Sequence, residues 1–147
     1  MKKILISIAL VLGNIFTGLC DSQLNIVPAP NKVVKGEGKW VVKNGLTIVS
    51  TDVKDFSANY LQDKLEDVFD FPVVVSSQRK GDGCITFATD KNIPSEGYKL
   101  EVTEKGITIM SSDKSGQYYG MQTLLQLFPA GIYSEDDLRL KEYPIDV

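Results

Sequence analysis

The spacing of the apolar residues changes period along this chain, and these changes restrict its fold more than any other feature. Short β-rich runs come first and are followed by an amphipathic helical pattern, further strand-like runs and a second helical pattern. Elements in this order favour an α+β domain. We therefore predict a small mixed or antiparallel β-sheet with two helices packed on it.

The first helical pattern begins after Asp55, a residue type that caps helix amino termini, and it ends before Pro72. Its charged residues lie on the side opposite to the apolar ones, which predicts a helix packed on one face. The apolar positions of this pattern are Phe56, Tyr60, Leu61, Leu65, Val68 and Phe69.

The second helical pattern covers residues 115–128 and is stopped by Pro129 and Gly131. Its apolar residues extend over more than one face, so we expect this helix to be more enclosed than the first. They are Tyr118, Tyr119, Met121, Leu124, Leu125, Leu127 and Phe128.

The β-rich runs predict two hairpins. Residues 40–42 and 46–49 flank Asn44-Gly45, and Asn-Gly between such runs is typical of a hairpin turn. Residues 98–102 and 107–109 alternate apolar with polar side chains around a turn at Gly106, which predicts one face on the core and one nearer solvent. Runs at 73–75 and 85–88 are separated by a glycine-rich turn at 81–83.

The first residues have the features of a secretory signal. Lys2 and Lys3 precede the uncharged run 4–16, which is too short for a comfortable membrane span. We predict a signal peptide over residues 1–20 and a protein exported to the periplasm or the extracellular space. The chain could be cleaved after Cys20, could be lipidated at Cys20 as an outer-membrane lipoprotein although Leu19 fits a lipoprotein box poorly, or could keep the segment as an anchor.

Composition excludes several classes of function. The chain has no histidine, the usual general base of hydrolases and the commonest transition-metal ligand. A net charge of -3 gives no basic field for nucleic acid. Cys84 has no cationic neighbour, so we expect a small buried thiol there. We predict no cofactor, no metal, no nucleic-acid partner, and no membrane contact beyond lipidation of Cys20.

The acidic residues form no recognisable catalytic pair. Asp63 and Asp67 share a helical face with other charged residues between them, which is typical of a solvated surface. The acids at 135–137 lack the alternating ligands and the glycine of a calcium loop. Gly81-Asp82-Gly83 joins two strands and opens no helix, which favours a turn over a phosphate site. The GxxxG spacing of Gly116 and Gly120 lies outside any long apolar span and favours close packing of the second helix. We therefore predict no catalytic residue.

Aromatic side chains that stack on sugars are the remaining candidates for a binding site. Trp40, Tyr98, Tyr118 and Tyr119 lie in patterns that predict core positions with a hydrogen-bonded polar tip. Tyr133 and Tyr143 lie in residues 131–147, which have no sustained pattern and are predicted to be a connector.

Three stretches of the chain resemble the N-terminal domain of family 20 glycoside hydrolases, the β-N-acetylhexosaminidases of bacterial type. These stretches begin at Gly97-Tyr98, at Gly106-Ile107 and at Gly116, and residues 26–30 resemble the family's opening proline-x-proline strand. Within the third stretch, which extends to Leu127, the block from Gly116 to Leu124 is the most specific part because its elements have fixed spacing. The positions that carry the resemblance are Gly97, Tyr98, Gly106, Gly116, Tyr119, Gly120, Gln122, Thr123 and Leu124.

The resemblance implies a supporting domain over residues 24–130, followed by a (β/α)₈ barrel that this chain does not contain. In that family the barrel carries an adjacent aspartate–glutamate pair, and the substrate's own acetamido group is the nucleophile. No acid of this chain matches that pair, so we expect the chain alone to be inactive. A free-standing carbohydrate-binding or adhesion module of the same fold is the alternative.

Overall fold

A computed structural model describes residues 25–133 and 139–146 of the chain. The predicted signal peptide, Cys20 and the acids at 135–137 lie outside the described residues. The elements in chain order are β1 (Lys39–Lys43), β2 (Leu46–Val49), α1 (Phe56–Glu66), β3 (Val73–Ser76), β4 (Cys84–Thr89), β5 (Tyr98–Thr103), β6 (Gly106–Ser111), α2 (Lys114–Leu125), a 3₁₀ turn (Ala130–Tyr133) and β7 (Glu142–Asp146).

Five of the strands form one mixed sheet in the order β3-β2-β4-β6-β5. The first four of these are parallel to one another, and β5 is antiparallel to β6. The predicted hairpin of β5 and β6 is confirmed, with Leu100 opposite Ile109 and Val102 opposite Ile107. The α+β fold with a mixed sheet and two helices is also confirmed.

The hairpin predicted at Asn44-Gly45 is wrong. Both residues have positive φ, as expected for a turn, but β1 does not pair with β2. Strand β1 pairs instead with β7, in a separate two-stranded antiparallel sheet that places Trp40 opposite Ile145. Both side chains are buried in the core, so burial of the indole outweighs the local preference for a hairpin. Strand β7 lies within the segment for which the sequence predicted only a connector.

Both helices cover the same face of the five-stranded sheet. Helix α1 lies over β2 and β3, α2 lies over β5 and β6, and the two helices touch each other. A single hydrophobic cluster joins them, with Leu61, Leu65, Ile109 and Leu124 among its fully buried members. Within the described residues, no helix is long and apolar enough to cross a bilayer.

The helices begin where the sequence predicts them, but part of their apolar surface faces outward. Asp55 caps α1 by accepting a hydrogen bond from the Ala58 amide at 3.2 Å. Phe56 nevertheless is 67% exposed, because it precedes the buried stripe of the helix. Tyr118 and Tyr119, which were predicted to lie in the core, are 36% and 46% exposed.

Candidate functional site

The glycines of α2 allow this helix to lie directly on the sheet. A Cβ atom on Gly116 would overlap the backbone carbonyl oxygen of Gly97. A Cβ atom on Gly120 would lie 2.6 Å from Cγ2 of Ile109 and 3.2 Å from the ring of Tyr98. The helix therefore approaches the β5–β6 hairpin more closely than any residue with a side chain would permit at these two positions.

Several of the other resemblance positions lie around this helix–sheet contact. The hydroxyl groups of Tyr98 and Thr123 are 2.6 Å apart, so the half-buried ring has the hydrogen-bonded tip that the sequence predicts. Gly106 has φ +147° and leaves room for the Cys84 carbonyl oxygen, at 2.6 Å from a hypothetical Cβ. Leu124 is fully buried, and Gln122 is half-buried. Only Tyr119 of the set lies on the opposite, exposed side of α2.

A buried carboxylate fixes the amino termini of the two helices relative to each other. The side chain of Asp55 is 1% exposed. It accepts a hydrogen bond from Nε2 of Gln117 at 2.6 Å and forms an ion pair with Nζ of Lys114, both on α2. Because these bonds add to its helix cap, every oxygen of Asp55 is occupied by a structural partner.

A second carboxylate, Asp113, caps α2 and holds a neighbouring loop. It accepts hydrogen bonds from the Gly116 amide at 2.8 Å, the Glu96 amide at 2.9 Å and the Ser95 hydroxyl at 2.7 Å. The Gly116 bond, followed by the Glu96 and Ser95 bonds, lowers the pKa of Asp113 below its usual value of 3.8. A carboxylate held in its ionised form by three donors is poorly suited to general-acid catalysis near neutral pH.

The outer sides of the two helices share a cluster of aromatic rings, which we call the aromatic face. Its members are Phe56, Tyr60, Tyr118, Tyr119 and Tyr133. The ring of Phe56 lies 5.8 Å from that of Tyr60 and 6.2 Å from that of Tyr118, which in turn lies 6.1 Å from Tyr119. Partial burial, and then the nearby hydroxyls of Tyr60 and Tyr118, raise the pKa of Tyr133 above 10.0.

An open groove of about 520 Å³ runs along this face and combines aromatic with charged walls. Phe56, Tyr118 and Tyr119 line it together with Asp52 and Lys54. Among the residues that the structure describes, no three metal-ligating side chains come together. The groove therefore provides apolar contact area and a few polar groups, which suit non-covalent binding.

The sequence predicts the surroundings of only some of the aromatic residues correctly. Trp40 is fully buried as predicted, but its indole Nε1 has no hydrogen-bond partner in the described part of the chain. Tyr143 is half-buried, with its ring 5.8 Å from that of Phe128. The aromatic face itself was not predicted, although its signal was present: α2 has apolar residues around more than one face, and Tyr118 and Tyr119 lie outside the buried side of this helix.

Comparison with known sequences identifies relatives for most of the chain. The family described as glycosyl hydrolase family 20, domain 2, matches residues 23–143. A β-hexosaminidase of Porphyromonas gingivalis is 32% identical over 124 residues, and one of Vibrio vulnificus is 27% identical over 123 residues. These matches cover 82% of this chain but only 16% and 14% of the two relatives.

Solved structures also resemble most of this chain, and the match again covers only a small part of each of them. A mutant Streptomyces plicatus β-hexosaminidase in complex with its product GlcNAc superposes with a TM-score of 0.70 at 26% identity. The match covers 82% of this chain and 24% of that protein. A Bacteroides fragilis β-N-acetylhexosaminidase, at 22% identity and a TM-score of 0.57, supports the same fold. This chain thus spans less than a quarter of each of these proteins.

Proposed function

Since this chain belongs to glycosyl hydrolase family 20, in which it is domain 2, we propose that it is the non-catalytic supporting domain of an exported β-N-acetylhexosaminidase. Its partner is a (β/α)₈ barrel, in cis or as a separate chain, that removes terminal β-linked N-acetylhexosamine residues. The domain packs against this barrel and stabilises it, and contacts glycan only indirectly. The relatives support this arrangement because this chain accounts for only a small part of their length.

The observation that carries the proposal is the aromatic face. Phe56 is 67% and Tyr133 55% exposed, beside the exposed rings of Tyr118 and Tyr119. A contiguous exposed aromatic surface is uncommon on a monomeric protein and marks a binding site, of which a contact with another protein is one kind. Tyrosine and phenylalanine are also enriched at the centres of such interfaces, where truncation of a single anchor costs about 2 kcal/mol or more of binding.

The two carboxylates that cap the helices support a non-catalytic role. Asp55 and Asp113 each cap a helix and each accept several structural hydrogen bonds. A glycosidase needs a carboxylic acid whose pKa is raised so that it can protonate the leaving group, whereas the hydrogen bonds to Asp113 lower its pKa. The pair is therefore suited to holding the helices and not to the cleavage of glycosidic bonds.

Hydrolysis of a chromogenic N-acetylglucosaminide tests the proposal. The chain is assayed alone and when co-expressed with the longest reading frame encoded beside it. We expect no turnover by the chain alone, and a thermally more stable, active barrel when the chain is present. Turnover by the chain alone would contradict the proposal and would mean that its own acids form an active site.

A matched pair of variants tests the role of the aromatic face. Phe56→Ala combined with Tyr119→Ala should remove the stabilisation of the barrel, because both side chains belong to the proposed contact. Val74→Ala should retain it, since this 48% exposed valine lies on edge strand β3 and outside the aromatic face. Equal stabilisation by all three proteins would place the contact elsewhere.

The groove also favours a second candidate, a free-standing carbohydrate-binding module. Aromatic rings beside Asp52 and Lys54 combine the stacking and hydrogen-bonding groups that sugars require. Calorimetric titration of the chain alone with N-acetylglucosamine oligomers separates the two candidates. Saturable binding that is lost in Phe56→Ala supports the module, whereas no binding supports the docking surface.

A further inference from the structure

The residues between the amino terminus of the described chain and β1 expose more apolar surface than the fold requires. We call residues 27–39 the basic segment. It contains no helix or strand before β1 begins at its last residue. Val27 and Val34 are each 78% exposed, and Val33 is 48% exposed. Exposed valines at three positions of one short segment contribute nothing to the core of this domain.

The start of the basic segment is held firmly on the domain. The side-chain amide of Gln126, just after α2, accepts a hydrogen bond from the Val27 amide at 2.8 Å and donates one to the Val27 carbonyl oxygen at 3.1 Å. The preceding residue, Ile26, is buried. Gln126 thus pairs with the backbone of Val27 as a neighbouring strand would. These two bonds fix the position of the backbone from which the exposed valines follow.

Positive charge is concentrated in and beside this segment. Residues 25–43 contain four lysines and one glutamate, a net charge of +3, whereas residues 44–147 contain ten basic and seventeen acidic residues, a net charge of -7. Nζ of Lys39 forms an ion pair with Oδ1 of Asp146 at 3.5 Å, and both side chains are largely exposed. The lysines of this region are Lys32, Lys35, Lys39 and Lys43.

The basic segment also lies close in sequence to the apolar amino-terminal run. Cys20 precedes Val27 by seven residues, which span about 25 Å at most when fully extended. Attachment of the chain to a membrane at Cys20 would therefore keep Val27, the first residue of the segment, within that distance of the bilayer. Lysines attract anionic lipid headgroups over roughly a Debye length, about 8 Å at physiological salt, and exposed apolar side chains partition into the headgroup region.

We infer that residues 27–39 form a contact surface for a bilayer that contains anionic lipids. The lysines supply the attraction, and Val33 and Val34 enter the headgroup region. The rest of the domain, which is acidic, is repelled from the same surface, so the contact orients the domain with this segment towards the lipid. The contact differs from the sequence prediction, which limited membrane contact to lipidation of Cys20, and it does not depend on the proposed role in a hexosaminidase.

A fluorescent label on the full chain tests this inference. Val34→Cys in a Cys20→Ser background carries an environment-sensitive nitrobenzoxadiazole dye, and Cys84 stays unlabelled because it is buried. Vesicles are prepared from phosphatidylcholine alone or from its equal mixture with phosphatidylglycerol. We expect a blue shift of the dye emission with the anionic vesicles, and its reversal in about 1 M salt, where the Debye length falls to about 3 Å.

Two controls separate the basic segment from the rest of the chain. The dye on Asp63→Cys, an exposed position of α1, should not shift with either type of vesicle. Lys32→Gln combined with Lys35→Gln should abolish most of the shift at position 34. Equal shifts at positions 34 and 63, equal shifts with both types of vesicle, or an unchanged shift in the lysine variant would each overturn the inference.

Discussion

The two sides of helix α2 differ in what they present to their surroundings. On the inner side, Gly116 and Gly120 bring the helix backbone against Gly97 and Ile109. On the outer side, Tyr118 and Tyr119 are exposed and extend the aromatic face. The fold is thus fixed by the glycines together with the other buried residues of the inner side, whereas the two tyrosines remain exposed. Stability and function should therefore respond to different substitutions in this helix.

The largest effect should come from Gly116→Ala. The added methyl group would overlap a backbone oxygen, which cannot rotate away as a side chain can, so α2 must move off the β5–β6 hairpin. Overpacking of this kind costs about 3 kcal/mol of unfolding free energy or more. Urea denaturation followed by circular dichroism measures this loss, and a variant as stable as the original chain would contradict the tight contact.

Gly120→Ala should have a smaller effect. Its methyl group meets Cγ2 of Ile109 at 2.6 Å and the ring of Tyr98 at 3.2 Å, which are side-chain atoms rather than backbone and overlap it less than the Gly97 oxygen overlaps a methyl group on Gly116. Alanine also favours the helix by about 1 kcal/mol over glycine, which offsets part of the crowding. We expect a net loss of about 1 kcal/mol in the same urea titration. A loss larger than that of Gly116→Ala would reverse the order predicted here.

Asp113→Asn should change how stability depends on pH. Because the folded pKa of Asp113 is lowered, its contribution is complete above the unfolded value near 3.8 and is lost as the pH falls through the folded pKa. Asparagine still caps helices but does not titrate. The urea midpoint of the variant should therefore decline less than that of the original chain between about pH 5 and pH 2. Parallel declines would show that Asp113 does not contribute to acid sensitivity.

The smallest effect on stability should come from Tyr119→Ser. This side chain is 46% exposed and packs outside the core cluster, and exposed substitutions usually change the unfolding free energy by about 0.5 kcal/mol or less. Its contribution should appear only when the barrel is present, as weaker association. A large loss of stability in the chain alone would mean that the outer side of α2 also supports the fold.

The local signals in the sequence were sufficient to predict the helices and one hairpin. Asp55 caps α1 as its residue type and position predict, and the alternation around Gly106 gives the β5–β6 pair. Both features depend on neighbours within a few residues, for which sequence patterns are informative. The order of the parallel strands, with β2 between β3 and β4, depends on contacts between distant segments and was not predicted.

The errors in the sequence analysis arise where long-range burial opposes a local pattern. Asn44-Gly45 forms a turn, yet β1 leaves its neighbour because Trp40 is buried beside Ile145, a residue about one hundred positions away. The tyrosines of α2 were assigned to the core because a helix with apolar residues all round is usually enclosed. A sequence does not show which of those residues lie against the sheet and which are exposed.

The pairing of β1 with β7 has a mechanical consequence. Lys39, at the start of β1, lies opposite Asp146, at the end of β7, so the two strands open from the same end. A force that separates these two residues would break the residue pairs between β1 and β7 one after another, beginning with the Lys39–Asp146 ion pair. If a following polypeptide pulls on residue 146, the force would therefore separate β7 from β1 before it acts on the five-stranded sheet.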